Sequence, residues 1–216
     1  MKIKVCLVDD HILLRSALSH LIDKSDTCHV VLEASNGQEL IENLNESNKP
    51  DVIMLDMNMP LMDGYETAVW LKKYQPEIKV LMLTMYDSEI ALIRHLQVGV
   101  LGFMKKDIHP TEMINAINHV YYQGFYYSHN TSSKLAGLFR DASDKSRLIE
   151  KVMLEKNEIT FLKLVCTELT YKEIAIQMKL NPRSIDSIRD SLFTRLDIKS
   201  RVGLAMYAIR HGIVNT

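Results

Sequence analysis

A chain of 216 residues is long for one ordinary domain and short for three, and at 47% hydrophobic and 25% charged, with 8 Gly and 5 Pro, it is neither collagen-like nor disordered. Its net charge of −1 splits into −6 over residues 1–127, +2 over 128–149 and +3 over 150–216, an acidic first part joined to a mildly basic tail that suits a polyanionic partner. No apolar run approaches the roughly 20 residues that cross a bilayer, the N-terminal MKIKVCLVDDH reaches acid too soon for a signal peptide, and Cys6, Cys28 and Cys166 lack metal-ligand spacing, so a reduced, cytoplasmic protein without membrane contact is expected.

Short apolar runs alternate with helical stretches over the first 125 residues. IKVCLV (3–8), VVLEA (30–34), VIML (52–55), KVLMLT (79–84) and LGFMK (101–105) read as strands, apolar on both faces as a covered parallel sheet requires. Helical segments fall near 11–23, 37–46, 64–75, 88–98 and 110–123, with breaks at Asn36-Gly37, Met59-Pro60, Asp63-Gly64, Gly99, Gly102 and Pro110. Five β-α repeats in sequence predict an α/β fold, a doubly wound five-stranded parallel sheet. Such a sheet binds its ligand at the carboxyl ends of its strands.

Residues 126–150 are rich in Ser, Asn, Asp and Lys and read as a linker with a helical piece around Lys134–Arg140. From 151 to 216 the pattern is all helical, with segments at 155–167, 171–179, 182–195 and 200–211. Only KLNP separates the second from the third. Asn181 followed by Pro182 is a good N-cap with proline at the first helical position, and the short turn predicts a helix-turn-helix. The domain expectation is therefore 1–125, a linker 126–150, and a C-terminal domain 151–216.

Candidate chemistry sits at the strand ends. The first strand terminates in Asp9-Asp10 and the third in Asp56, so three carboxylates meet at one edge and repel one another unless a cation joins them. Mg²⁺ suits that site, taking a few carboxylate oxygens while keeping several waters. The fourth strand ends in Thr84 and the fifth leads to Lys106, a hydroxyl and an ammonium suited to holding a phosphoryl group on a carboxylate. Any one of these residues alone is a bland turn or surface residue; the weight lies in their joint occurrence.

LVDDH (7–11), LDMNMPLMDG (55–64), LMLTMYD (81–87) and GVLGFMKKD (99–107) together resemble a response-regulator receiver domain, flavodoxin-like in fold, over essentially all of residues 1–125. The resemblance implies phosphorylation at Asp56, metal ligation by Asp9, Asp10, Asp56 and the backbone carbonyl of Asn58, and phosphate binding by Thr84 and Lys106. Thr84 and Phe103 take the family's switch positions, although Phe103 reads equally as an ordinary core aromatic. Lys106, not the adjacent Lys105, lies four residues past Gly102, and strand alternation points Lys105 the other way. Rival phosphate folds fail on sequence. DDHILL offers no nest of the kind a flavodoxin places after its first strand, and no GxxxxGK[ST] is present. The twelve Met, His11 and Trp70 read as filler, a helix-start residue and packing respectively.

The tail LEKNEITFLKLVCTELTYKEIAIQMKLNPRSIDSIRDSLFTRLDIKSRVGLAMYAIRHGI resembles a LuxR-type helix-turn-helix, through Glu158, LTYKEIA (169–175), Ser184-Ile185 and Lys199-Ser200-Arg201. With the receiver it makes the chain similar to a NarL/FixJ-class response regulator. That resemblance implies a sensor histidine kinase as phosphoryl donor, double-stranded DNA as target, a homodimer on phosphorylation, and transcriptional control without conventional enzyme activity. The DNA-facing set is Thr170, Lys172, Arg183, Ser184, Asp186, Ser187, Asp190, Lys199 and Arg201. Asp186 and Asp190 depart from the family, which favours basic or neutral groups there. Two acids facing a polyanion are unfavourable unless they accept from cytosine amino groups. They also admit a second reading, a phosphorylation-gated module whose tail binds a protein. Arg189 falls about 40° from Ile185 on a helical wheel and is expected to pair with Glu158 or Glu173, or else to snorkel to solvent.

Overall fold

The computed structural model describes residues 2–84, 89–127, 154–211 and 213–214, with side chains omitted for Glu89, Ile90 and Ala91. Two compact units result, Met1–Ala136 and Gly137–Thr216. The predicted linker helix lies outside the described residues, as does most of the 126–150 linker.

The first unit runs β1 (Ile3–Val8), α1 (Ile12–Asp23), β2 (Cys28–Ala34), α2 (Gly37–Asn43), β3 (Val52–Asp56), α3 (Gly64–Tyr74), β4 (Lys79–Thr84), α4 (Glu89–Gln97), β5 (Val100–Lys105), α5 (Pro110–Gln123) and β6 (Tyr126–Tyr127). All strand pairings are parallel, in the order β2-β1-β3-β4-β5-β6. The sheet has six strands where five were expected. Tyr126 and Tyr127, assigned from sequence to the linker, pair with Gly102 and Phe103. Two residues are too few to show a strand's period, and the glycine turn at Gly124 (φ 84°) that returns the chain to the sheet looks like any helix stop.

Strand alternation builds one core on each face. Ile53 and Leu55 join Cys6, Val8, Ala68, Leu71 and Leu92 beneath α2, α3 and α4. Val52 and Met54 join Val5, Leu7, Ile22, Ile117 and Val120 beneath α1 and α5. All five residues of β3 are buried, so its apolar run carries no polar alternation. Helix α3 starts hard against the end of β3: a Cβ on Gly64 would lie 2.2 Å from the Asp56 carbonyl oxygen, so only glycine permits that approach. Asp63 and Glu66 close a capping box there.

Among its described residues the second unit comprises α6 (Lys156–Val165), α7 (Tyr171–Gln177), α8 (Pro182–Leu196) and α9 (Arg201–Arg210). Phe161, Leu162, Ile174, Ile185, Leu192, Leu204 and Ala208 form its core. Thr170 and Glu173 form a capping box on α7, and Asn181 accepts from the Ser184 N–H with Pro182 in the first turn of α8, as its sequence requires. Ile188 and Leu196 pack against the core beside Ile185 and Leu192, completing the expected stripe.

Candidate functional site

The carboxyl ends of β1, β3, β4 and β5 converge. Asp9 and Asp56 are 1% and 3% exposed, so their charges are almost fully withdrawn from water. The Lys106 ammonium sits 2.8 Å from Asp9 Oδ2 and 2.8 Å from Asp56 Oδ2, with its own side chain buried. Lys106 therefore projects into the acid cluster, and its backbone N–H anchors on the Thr84 carbonyl at 3.2 Å. Thr84 is buried on the same rim. Lys105 ends β5 opposite Thr84 in register.

Burial is the largest influence on Asp56 and pushes its carboxyl up to about 6; Lys106 and the Asn58 N–H pull against it, and Asp9 adds to the rise. For Lys106, burial pulls the ammonium down, but Asp56 and Asp9 outweigh it and hold the group above its ordinary value. One ammonium thus balances two buried carboxylates incompletely.

Asp9, Asp10, His11 and Asp56 bring ligand atoms within 4.8 Å of one another. Asp9 Oδ2 and Asp10 Oδ1 are buried, each with one cationic or imidazole neighbour at 2.8 Å, Lys106 and His11 respectively. Three carboxylates sharing one ammonium form an under-neutralised acid cluster of the kind a hard divalent cation satisfies, so the residues fit Mg²⁺.

Two residues of this site were not identified from sequence. His11 Nδ1 lies 3.0 Å from Asp9 Oδ1 and 2.8 Å from Asp10 Oδ1. Arg15 donates to the Asp9 carbonyl and reaches Glu33 at 3.3 Å, pinning the loop after β1. His11 is the N-cap of α1, the helix-start position read from sequence, and the Arg15 N–H donates to its carbonyl at 2.9 Å one turn on; that spacing was the signal available for both. Phe103 is 1% exposed and packs between His95 (centroids 6.2 Å) and Tyr127 (6.4 Å).

In the second unit, Thr170, Lys172, Arg183, Asp186, Ser187, Asp190 and Lys199 are exposed, and Ser184 is half-buried. Arg201 has other partners. Its guanidinium donates to the carbonyls of Val165 (3.2 Å) and Thr167 (2.7 Å), closing the C-terminal end of α6. The expected Arg189 pairing does not form. Glu158 pairs with Arg195 at 2.6 Å, and Glu173 caps Thr170. Arg189 instead bridges Asp186 (2.9 Å) and Asp190 (2.8 Å) and lies over the Tyr171 ring at 5.4 Å. The wheel placed its Cα beside the apolar stripe correctly, but an arginine stem is long enough to carry the head around Tyr171 to the outward acids.

A doubly wound sheet with an acid-lysine pocket at its strand ends, joined to a helix-turn-helix unit, defines a phospho-regulated two-domain class. The chain belongs to the response-regulator family: residues 5–118 match the response regulator receiver domain, and residues 152–208 match the bacterial regulatory proteins of the luxR family. It is 31% identical over 214 residues to the response regulator GacA of Pseudomonas syringae pv. syringae, covering 99% of this chain and 98% of that one. It is 29% identical to the response regulator UvrY of Escherichia coli K12, covering 99% and 96%. RcsB of Salmonella enterica serovar Typhimurium, solved bound to promoter rprA, is similar in fold with a TM-score of 0.69 at 21% identity, over 96% of this chain and 98% of that one. Among the described residues, no helix is long and apolar enough to cross a membrane.

Proposed function

We propose that Asp56 accepts a phosphoryl group from the phosphohistidine of a sensor kinase and that this event controls DNA binding by the second unit as a cytoplasmic homodimer. An Asp56 carboxylate oxygen attacks phosphorus, the donor's P–N bond breaks, and the imidazole departs. Asp9, Asp10, Asp56 and the Asn58 carbonyl would hold Mg²⁺, which would neutralise charge on the phosphoryl oxygens. Lys106, already within 2.8 Å of Asp56, pairs with one phosphoryl oxygen. Thr84, on the same rim, takes another through its hydroxyl. Thr84 and Phe103 together form a two-state rim that phosphorylation biases, changing a packing face of the first unit. The observation that carries the reading is the buried Asp9–Lys106–Asp56 cluster at the strand ends.

Acetyl phosphate or a phosphoramidate with Mg²⁺ is expected to label Asp56 alone. Asp56→Asn and EDTA each abolish the label, and a phosphoryl group found on another residue of intact protein overturns the assignment. For the second unit, Lys172, Arg183, Lys199 and the α8 surface face DNA, with α8 entering the major groove. The acids that favoured a protein partner, Asp186 and Asp190, are both paired by Arg189, which removes much of the repulsion against a duplex. A salt titration on random duplex separates the two partners, since a DNA binder loses affinity steeply as salt rises.

A further inference from the structure

The Arg189 cluster is a feature of this chain that its family resemblance does not explain. Arg189 donates from Nη1 to Asp186 Oδ1 at 2.9 Å and from Nε to Asp190 Oδ1 at 2.9 Å. Its platform is fixed. Tyr171 stacks on Phe161 with ring centroids 6.0 Å apart and is also covered by Arg201 at 5.5 Å, whose guanidinium is held by backbone carbonyls. A planar fork on an aromatic face can engage two carboxylates at once; a lysine ammonium has neither the fork nor the stacking plane.

Two consequences follow from the atoms used. Arg189 halves the negative charge that Asp186 and Asp190 would present to a polyanion. Both contacts also engage Oδ1, leaving Oδ2 of each carboxylate without a described hydrogen-bond or ion-pair partner, on side chains 54% and 63% exposed. An ionised carboxylate only accepts. On the floor of the major groove the donors are the amino groups of cytosine and adenine, and the one an aspartate matches is cytosine N4. Asp190 also borders a shallow depression along α8 with Ser187, Ser191 and Thr194, so it belongs to a continuous polar surface.

We infer that Arg189 is a specificity-determining positioning residue, which orients Asp186 and Asp190 to accept from cytosine amino groups in the major groove. The inference rests on the DNA-binding reading of the second unit. Arg189 touches no base itself; it makes two acids compatible with DNA and fixes where their free oxygens point.

The test uses the full-length protein, phosphorylated with acetyl phosphate and Mg²⁺, to select duplexes from a random library. Wild type is then compared with Arg189→Lys, Arg189→Met and Asp186→Asn on selected and random duplexes. Wild-type sites are expected to hold cytosine at fixed positions in each half-site. Asp186→Asn should move one of these toward adenine, which an amide reads bidentately. Arg189→Lys, which keeps the charge, should lower discrimination at the cytosine positions roughly tenfold. Arg189→Met should lose that discrimination and also weaken binding to every duplex. A merely structural arginine would weaken all duplexes alike and leave base preference intact. Wild-type base preference surviving in both Arg189 variants, or selected sites without cytosine, overturns the inference while DNA binding stands. A wild type that selects no duplex overturns the DNA-binding reading, and this inference with it.

Discussion

Replacing Asp56 by asparagine should make the first unit more stable while destroying its phosphorylation. Asp56 is 3% exposed, and its carboxyl rises from 3.8 to about 6, with burial the main cause and Asp9 contributing. A group whose folded pKa exceeds its unfolded value binds its proton more tightly when folded. The contribution of Asp56 to stability is therefore greatest below pH 3.8, falls as pH rises through the window from 3.8 to about 6, and levels off above it. At about 1.4 kcal/mol per unit, that loss approaches about 3 kcal/mol. Asparagine removes it but also takes one of two carboxylates from Lys106, so we expect a net gain of about 1–2 kcal/mol at pH 8 in EDTA. Trp70 is the chain's single tryptophan and lies on α3, so its fluorescence during urea unfolding reports the first unit alone. The advantage of Asp56→Asn should shrink at pH 5, where wild type is largely protonated. It should shrink again in Mg²⁺, which stabilises wild type by about 2.7 kcal/mol at a hundredfold excess over its Kd. A less stable Asn variant at pH 8, or an advantage equal at both pH values, refutes the reasoning.

Lys106→Met should tighten Mg²⁺ binding, read by Trp70 fluorescence, because a competing ammonium leaves the Asp9–Asp56 pair, whereas Asp9→Asn should weaken it severalfold. Arg195→Met leaves Glu158, 7% exposed, without its ion-pair partner and with only the Glu155 N–H, and should destabilise the second unit by about 2–3 kcal/mol, below the full value for a buried pair because Arg195 is 25% exposed. Faster amide hydrogen exchange across Lys156–Val165 checks this. Arg201→Ala should likewise loosen α6 by about 1–2 kcal/mol without changing the salt slope of DNA binding, whereas Lys199→Ala should leave stability alone and reduce that slope by about 1; equal slopes would assign both residues the same role.

The strands and helices of the first unit were legible because apolar runs of β length alternate with helical stretches closed by Gly, Pro and capping residues. Strand ends at Asp9, Asp56 and Thr84 then follow from topology alone. Lys106 was separable from Lys105 because strand period is two, and the Lys106 ammonium does reach Asp9 and Asp56. What stayed hidden depended on reach, not on period. Arg189 and Arg195 lie on α8 and Arg201 begins α9, yet their heads find Asp186/Asp190, Glu158 and two backbone carbonyls respectively. A long, flexible stem decouples the position of the charge from that of its Cα, so a helical wheel locates only the latter. Strand β6 was hidden for a different reason: two residues borrow their conformation from Gly102 and Phe103.

The most direct measurement is the affinity of the full-length protein for a selected duplex, with and without acetyl phosphate and Mg²⁺, in wild type and Asp56→Asn. The account predicts that phosphorylation tightens wild-type binding, shifts it to a dimer, and leaves Asp56→Asn unchanged. Wild-type affinity indifferent to phosphorylation, or an Asp56→Asn variant that responds as wild type does, would contradict the link between the Asp56 pocket and DNA.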